Sequence, residues 1–330
     1  MSQSPNPDLS GLEPTLGHSS DGGLTGHEPA LGGNRRIDPR ILDELRAGKW
    51  VSIERLRNGR ERFSPTERKT YARALVAHLK TIDPNLYRPP RRDPRGPILL
   101  VLGVLGDPVA LPMLIDALRD ENFTVKRSAI QGLGHLGDPS GISPLLGLLD
   151  QSRQDRTSVS PFLVVDALGR LGATDPNRVT PRLLDLLDSD VWPDLKLCTL
   201  TALGRVGDPR AVEPLIQILH THSDFRHRRE AARALARTDH ESVLPTLVLA
   251  LSDRYRDVRY AVALALGHLD DSRAIQPLQM AYLHERVTRV RVGIERALAR
   301  LGARPPGPDN PAPLPWFGSL LYPDGPPLET

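Results

Sequence analysis

The chain has 330 residues, a formal net charge of +3, and 39% hydrophobic and 4% aromatic residues. Its single cysteine excludes a disulfide framework and a cysteine-based metal site, and the sequence has no run of 18 apolar residues that would predict a membrane-spanning helix. The N-terminus has no basic segment followed by an apolar run, so the sequence predicts a cytoplasmic protein.

The first 94 residues divide into two segments of different charge. Residues 1–34 contain four acidic and no basic side chains and are rich in Gly, Ser and Pro, a composition that predicts disorder. Residues 35–94 carry 16 basic and 8 acidic side chains, and a capping box from Ser64 to Glu67 predicts a helix start within them. We interpret residues 35–94 as a basic helical cap that covers the apolar flank of the next segment.

A phrase of the type Ala-Leu-Gly-x-Leu-Gly-Asp-Pro recurs through residues 95–302. Its first leucine returns at intervals of 31, 35, 35, 32, 31 and 32 residues. A fixed period in this range predicts a stack of identical supersecondary units rather than a globule around a buried pocket. The anchor leucines are Leu102, Leu133, Leu168, Leu203, Leu235, Leu266 and Leu298.

The residue pattern of each unit predicts a first helix (helix A), a turn and a second helix (helix B). Helix A begins at Asp-Pro, and helix B ends at a residue suited to the left-handed conformation. Small residues before the anchor leucines predict a close approach of neighbouring helices. A second proline predicts a bent or short helix A, at Pro112, Pro144, Pro181, Pro214, Pro245 and Pro277. The helix B ends are Gly106, Gly137, Gly172, Gly207, Asp239, Asp270 and Gly302.

The C-terminal segment 303–330 contains nine prolines and one apolar island, Leu314–Tyr322. An island with a tryptophan, a phenylalanine and a tyrosine is unusual in a disordered tail. Two interpretations remain open: the island docks on the chain's own stack, which we favour, or it is a linear peptide for another protein.

This pattern resembles HEAT repeats, in particular the short bacterial type named after phycobilisome lyases. The resemblance covers about residues 95–302 and depends on the recurring phrase, the helix A proline and the helix B starts Val125-Lys126, Val258-Arg259 and Val290-Arg291. It implies an all-α solenoid of about six helix pairs with a closing helix at 287–301. HEAT-like solenoids have very mixed functions, so the fold alone does not assign one.

A column of cations lies seven residues before the anchor leucines, with Pro161 as its exception. Acidic residues lie six positions before four of these cations. As the HEAT resemblance implies, we interpret the two sets as a ladder of charge pairs that aligns successive repeats. The cations are Arg95, Lys126, Lys196, Arg228, Arg259 and Arg291, and the acids are Asp120, Asp190, Asp253 and Glu285.

A second column, of arginine and histidine side chains, lies two residues after most of the anchor leucines. Residues four and eight positions before each of them lie on the same face of the helix. The resemblance implies that helix B lines the concave side, so this face is interpreted as the wall of a groove that binds a protein partner with an acidic or mixed surface. A solvated charged face is the alternative. The predicted partner-binding residues are Arg205, Phe225, Arg228, Arg229, Arg233, Arg237, Tyr260 and His268.

The sequence predicts no catalytic residue, no metal site and no cofactor. His220, His222 and His227 lie close together, but no cysteine or carboxylate set completes a metal site, so they are interpreted as solvated turn residues. Paired His-Glu motifs would indicate the HEAT-like deoxyhypusine hydroxylases, which bind iron. The helix B starts lack the expected histidine, so that set is absent.

The function predicted from these patterns is a non-enzymatic scaffold or adaptor. The first alternative is a bilin attachment factor or chaperone similar to the phycobilisome lyases, which pass an open-chain tetrapyrrole to a phycobiliprotein cysteine. The second is binding of a nucleic-acid backbone by the basic cap and the arginines, which is not favoured because aromatic and basic residues do not alternate densely. The oligomeric state is not predicted.

Overall fold

The structure, a computed structural model, describes residues 43–44, 63–86, 93–154, 159–188, 193–238 and 240–307. These residues form α-helices joined by turns and short 3₁₀ segments, and no strand occurs among them. No helix in the described ranges is long and apolar enough to cross a membrane. The predicted tail 1–34, much of the predicted cap and the apolar island lie outside the described residues.

The predicted all-α solenoid is confirmed. Helix α1, Pro65–Leu79, precedes the stack and begins with the predicted capping box between Ser64 and Glu67. The B helices are α2 (Arg95–Leu105), α4 (Phe123–Leu136), α6 (Pro161–Leu171), α8 (Pro193–Val206), α10 (Phe225–Leu235), α12 (Arg256–His268) and α14 (Thr288–Arg300). The A helices are α3 (Leu111–Ala117), α5 (Ile142–Gln154), α7 (Pro176–Asp188), α9 (Val212–Thr221), α11 (Val243–Ala250) and α13 (Ile275–His284).

Most A segments consist of a 3₁₀ turn followed by a helix. The carboxylates of Asp107, Asp138 and Asp208 accept the backbone N–H two residues later and cap these turns. The second proline then falls in the first turn of the α-helix, where its missing N–H leaves no hydrogen bond unmade. Helix α7 is the exception: it begins directly at Pro176 and keeps Pro181 in its interior. In α3, α5, α9 and α13 a 3₁₀ start therefore takes the place of the expected mid-helix bend, and α11 is short, with 8 residues and no 3₁₀ segment in the described residues before it.

The B helices mostly end as the sequence predicts. Gly106, Gly137, Gly207 and Gly302 have φ angles from 70° to 79°, and Asp270 has a φ of 55°. The third repeat departs from the pattern, because Gly172 has a φ of −62° and continues into a 3₁₀ turn. The prediction of a left-handed glycine there was wrong, and Asp239 lies outside the described residues.

Five of the six pairs of successive B helices pack more extensively than any other pair of helices in the stack. The small residues make this possible: a Cβ atom on Gly204 would lie 2.6 Å from the Cα atom of Ala234, and one on Gly267 would lie 2.7 Å from that of Ala297. The anchor leucines are at most 1% exposed and form a continuous core between the A and B layers. The B layer is therefore held together by backbone approach as well as by apolar burial.

Candidate functional site

The ladder column brings Arg228 of α10 onto Asp253, which follows α11. Arg228 donates from Nε to Oδ2 at 2.8 Å and from Nη2 to Oδ1 at 3.0 Å, a two-point contact between a guanidinium and a carboxylate. Its Nη1 donates to the carbonyls of His222 and Ser223. Arg228 is 6% exposed, so its placement among the partner-binding residues was wrong: it joins two repeats and is not accessible to a partner.

The next rung has the same geometry. Arg259 donates to Glu285 at 2.7 and 3.1 Å and from Nη1 to the carbonyls of Asp253 and Arg254. Burial would raise the pKa of the Glu285 carboxyl, but the hydrogen bonds from Arg259 and the backbone outweigh it and hold this pKa below its usual range. The pKa of Asp253 is lowered against burial in the same way, chiefly by Arg228. Both carboxylates are therefore ionised partners of the cation in the preceding repeat.

The ladder is discontinuous along the stack. Arg95 contacts Asp120 and Asp93 at the first rung. Lys126 and Lys196 form no ion pair with another described residue, and Asp190 lies outside the described ranges. Arg291, in the closing helix, lies with its guanidinium carbon 4.4 Å from the centre of the Tyr282 ring.

Between the third and fourth repeats, a different pair joins the B helices. Arg205 of α8 contacts Asp166 of α6, which also accepts from Nε of Arg170 at 3.1 Å. Burial opposes ionisation of Asp166, but the two arginines outweigh it and lower the pKa of this carboxyl. The guanidinium of Arg205 remains 30% exposed, so it is partly available to a partner.

Helix α10 presents three further arginines to solvent. Arg229 donates from Nε to Glu230 Oε1 at 3.0 Å, and Arg233 donates from Nη1 to the same oxygen at 2.9 Å. Their side chains are 31% and 53% exposed, and Arg237 is exposed without an ion pair to another described residue. We call Arg205, Arg229, Arg233 and Arg237 the arginine face.

The predicted aromatic members of the site pack between repeats. Phe225 stacks on Tyr255 at a centroid distance of 4.9 Å and an interplanar angle of 13°. The Tyr260 ring lies against Gly293, where a Cβ atom would come within 2.7 Å of it, and the Arg289 guanidinium lies 5.0 Å from the ring centre. His268 is exposed, with Nδ1 2.7 Å from the carbonyl of Leu264. The structure therefore separates Phe225 and Tyr260, which hold repeats together, from the exposed arginines.

Sequence reasoning missed the two carboxylates of this surface. Asp166 lies four residues before Arg170, and Glu230 lies three residues before Arg233, so helical spacing was the available signal. Each carboxylate neutralises part of the charge that a count of arginines alone would assign. The surface is therefore mixed, with cations in excess.

The three clustered histidines do not behave alike. His222 and His227 stack with ring centres 4.1 Å apart, and His227 is 3% exposed, so its interpretation as a solvated turn residue was wrong. His220 is exposed at the end of α9. Across the described part of the chain, no group of three His, Cys, Asp or Glu side chains could hold a metal ion.

Two family models match the stack. The model described as HEAT repeats matches residues 86–160 and 212–299, and the model described as PBS lyase HEAT-like repeat matches residues 200–221. The predicted repeat type is confirmed.

Three curated relatives illustrate the range of similar proteins. Human deoxyhypusine hydroxylase is 28% identical over 203 residues, which cover 54% of this chain and 66% of the enzyme. The Neurospora crassa deoxyhypusine hydroxylase is 25% identical over 235 residues, which cover 60% and 72%. An uncharacterized phycocyanin operon protein Z of Pseudanabaena tenuis is 27% identical over 136 residues, 40% of this chain and 65% of that protein. The matched segment thus spans slightly less than two thirds of the human enzyme.

Two solved structures are similar to this chain. The complex of the two phycocyanin lyase proteins from Nostoc is 20% identical, with a TM-score of 0.46 over 84% of this chain and 99% of that chain. Human deoxyhypusine hydroxylase in complex with glycerol is 22% identical, with a TM-score of 0.34 over 80% and 95%.

The His-Glu pairs of this chain do not fit the iron that the hydroxylase resemblance implies. His240 and Glu241 are exposed in the turn before α11. The Glu285 carboxylate next to His284 is already bound by Arg259, and it also accepts the backbone N–H of Val287. His27 and Glu28 lie outside the described residues. No hydroxylation step follows from these residues.

Proposed function

This chain is a HEAT-repeat protein, and we propose that it is a non-enzymatic scaffold or adaptor that holds a protein partner against the arginine face. The partner has an acidic or mixed surface. A stack of two-helix units supports this role because it exposes a long surface without requiring a closed pocket.

The observation that carries the proposal is the arrangement around Glu230. Arg229 and Arg233 share one oxygen of this carboxylate, and Arg237 adds a third guanidinium on the same helix. The other N–H groups of Arg229 and Arg233, and those of Arg237, donate to no other described residue. Arginine is well suited to bind a partner's carboxylates at two points, and it is enriched among the residues that contribute most to interfaces.

The packing of the layers also supports a groove on this side. Neighbouring B helices approach to backbone contact at glycine and alanine, whereas the A helices have no such series of small residues. A stack with one tighter layer curves towards that layer. We therefore infer that the B helices line the inner side of the curve, where a partner would contact several repeats.

The test is affinity capture from a lysate of the source organism by the full chain and two variants. The first variant carries Arg229→Glu, Arg233→Glu and Arg237→Glu. The matched control carries Arg119→Glu, Arg178→Glu and Arg273→Glu, which reverses three exposed arginines of the A segments and their turns. Melting temperatures of all three proteins establish that the comparison is between folded chains.

We expect one protein to be captured by the wild type and by the control but not by the first variant. Equal capture by the first variant would show that the arginine face is a solvated surface. Capture of nucleic acid that falls steeply with added salt would favour binding of a nucleic-acid backbone over the adaptor function. Binding to phosphates depends on salt in this way because it releases counterions.

A second candidate function is the handling of an open-chain tetrapyrrole. It is supported by the match of residues 200–221 to the PBS lyase HEAT-like model and by the similarity to the phycocyanin operon protein. Addition of phycocyanobilin to the purified chain tests it: a shifted visible absorbance that saturates at one equivalent would favour this function, and an unchanged spectrum would exclude it.

A further inference from the structure

An apolar groove lies between the A helices α11 and α13, away from the arginine face. Its volume is about 610 Å³, and its lining includes Val248, Leu249, Pro277, Met280, Val290 and Ile294. The Arg259–Glu285 ion pair, which joins the two repeats, also lines the groove.

The groove is large enough for aromatic side chains. Its volume falls within the range of about 300–1,000 Å³ that is typical of pockets for small molecules and peptide side chains. Leu249 remains 50% exposed on its wall. Apolar surface that converges in a concave site is a feature of binding surfaces rather than of scattered exposed residues.

The residues that follow α14 contact the A helix α13. After α14, Gly302 reverses the backbone with a φ of 72°, and Ala303 donates its N–H to the carbonyl of Leu298 at 2.8 Å. The carbonyl of Arg304 then accepts a hydrogen bond from Nε2 of Gln279 at 3.0 Å. The outgoing segment is therefore attached to α13, one residue away from Met280 of the groove wall.

The tail is long enough to reach the groove. Seven residues lead from Gly307, the last described residue, to Leu314, and an extended chain of that length spans up to ~23 Å. A helix with its side chains is about 10–12 Å across, so the segment is long enough to cross α13. The nine residues Leu314–Tyr322 contain six large apolar side chains and no charge.

We propose that the apolar island Leu314–Tyr322 of the same chain occupies this groove, with Trp316 and Phe317 inserted between α11 and α13. The island is uncharged and apolar and matches the apolar part of the lining, in which the Arg259 and Glu285 side chains neutralise each other. The tail is already fastened to the neighbouring side of α13. In this position the island covers exposed apolar side chains of the last two A helices. This contact does not depend on the proposed adaptor function, which uses the opposite layer of the stack.

Fluorescence of Trp316 tests the proposal in the full chain. Trp50→Phe and Trp192→Phe leave Trp316 as the single tryptophan, since the chain has three. In this background we expect an emission maximum blue-shifted from that of free tryptophan and protection from acrylamide quenching. Both should be independent of protein concentration.

Two leucines provide the matched pair of variants. Leu249 lines the groove and is 50% exposed, whereas Leu283 of α13 is 48% exposed and does not line it. Leu249→Glu should shift the Trp316 emission to that of a solvent-exposed tryptophan, and Leu283→Glu should leave it unchanged. Leu249→Ser, a milder change, should reproduce the shift if Leu249→Glu lowers the melting temperature.

Three results would overturn the proposal. A solvent-exposed Trp316 in the parent chain would show that the island does not dock. A buried Trp316 that responds to Leu283→Glu, or to neither variant, would place the island on another surface. Burial that is lost on dilution would show that the groove holds the tail of a second copy.

Discussion

Gly169 of α6 lies against Ala202 of α8 so closely that a Cβ atom on the glycine would come within 2.7 Å of both the Cα and the Cβ atoms of the alanine. The two residues are 33 positions apart, because Gly169 directly follows one anchor leucine and Ala202 directly precedes the next. The same relationship joins Gly134 to Ala167 and Gly204 to Ala234. The small residues of the recurring phrase therefore set the spacing of the B layer, on which the inner surface of the stack depends.

This contact predicts opposite effects of two glycine-to-alanine substitutions. Gly169→Ala should destabilise the chain by about 1–3 kcal/mol, because the new methyl group meets backbone that cannot move aside. Gly147→Ala, in the interior of α5, has nothing within 4 Å of the new atom and should stabilise the chain by about 0.5–1 kcal/mol. Urea unfolding of the two variants measures both values. A stabilising Gly169→Ala would show that the B layer can expand.

Loss of the Arg228 side chain should be strongly destabilising. Its side chain is 7% exposed and that of Asp253 is 11% exposed, so Arg228→Ala leaves a carboxylate and two carbonyls without their donor in a buried place. Breaking a buried ion pair costs about 3–5 kcal/mol. Arg226→Ala is the control, because its guanidinium pairs with Asp224 at the surface and is 47% exposed. Similar denaturant midpoints for the two variants would contradict the buried ladder.

The acid limb of the stability curve should depend on Asp208. Hydrogen bonds from Arg210, only partly opposed by burial, together with the hydroxyl of Thr180, lower the pKa of this carboxyl from 3.8 to about 2. Because the pKa is lower in the folded chain than in the unfolded chain, the carboxylate stabilises the fold above pH 3.8, and this stabilisation is lost as the pH falls towards 2.

Asp208→Asn should therefore flatten the dependence of the unfolding free energy on pH between about 4 and 2, and lower the stability at neutral pH. Thr180→Val, which leaves Arg210 in place, should remove only part of the slope. Denaturant titrations at several pH values measure both. An Asp208→Asn variant with the slope of the wild type would show that other carboxyls dominate this range.

Asp270 predicts a stabilising substitution. It holds a φ of 55° at the end of α12, where five of the seven B helices are followed by glycine. A left-handed conformation costs an L-residue about 1–2 kcal/mol, and replacement by glycine removes this cost. The extra flexibility of glycine in the unfolded chain offsets about 0.5–1 kcal/mol of the stabilisation. Asp270→Gly should thus raise the melting temperature slightly. The converse change, Gly137→Asp at a φ of 79° with open space around it, should lower the melting temperature.

The architecture could be predicted because its signals are local and repeated. The Asp-Pro starts and the glycine ends each depend on a few consecutive residues, and the leucine period repeats them along the chain. The helix boundaries in the structure follow these signals with few exceptions. The third repeat is an exception, since Gly172 departs from its expected left-handed conformation. The interval between anchor leucines is 35 residues on both sides of this repeat, and the residue types alone do not show the conformation of the turn.

The candidate site could be predicted only in part. Arg228 and Arg229 are neighbours of the same type, yet the first is buried on Asp253 and the second lies on the arginine face. Consecutive residues of a helix point about 100° apart, so the decision depends on which side of α10 meets the next repeat. Phe225 and Tyr255 are 30 residues apart in the sequence, and their rings stack because the start of α10 lies next to the start of α12.

The sequence by itself determined the repeat, its length, the boundaries of most helices and the residues small enough for close packing. These properties depend on the backbone preferences of each residue and on periodic burial, which act within one unit. Only the tertiary structure decided which charges are buried, which carboxylates share the arginine face and where a groove opens. Those outcomes depend on the distance and angle between neighbouring repeats, to which side chains from both repeats contribute.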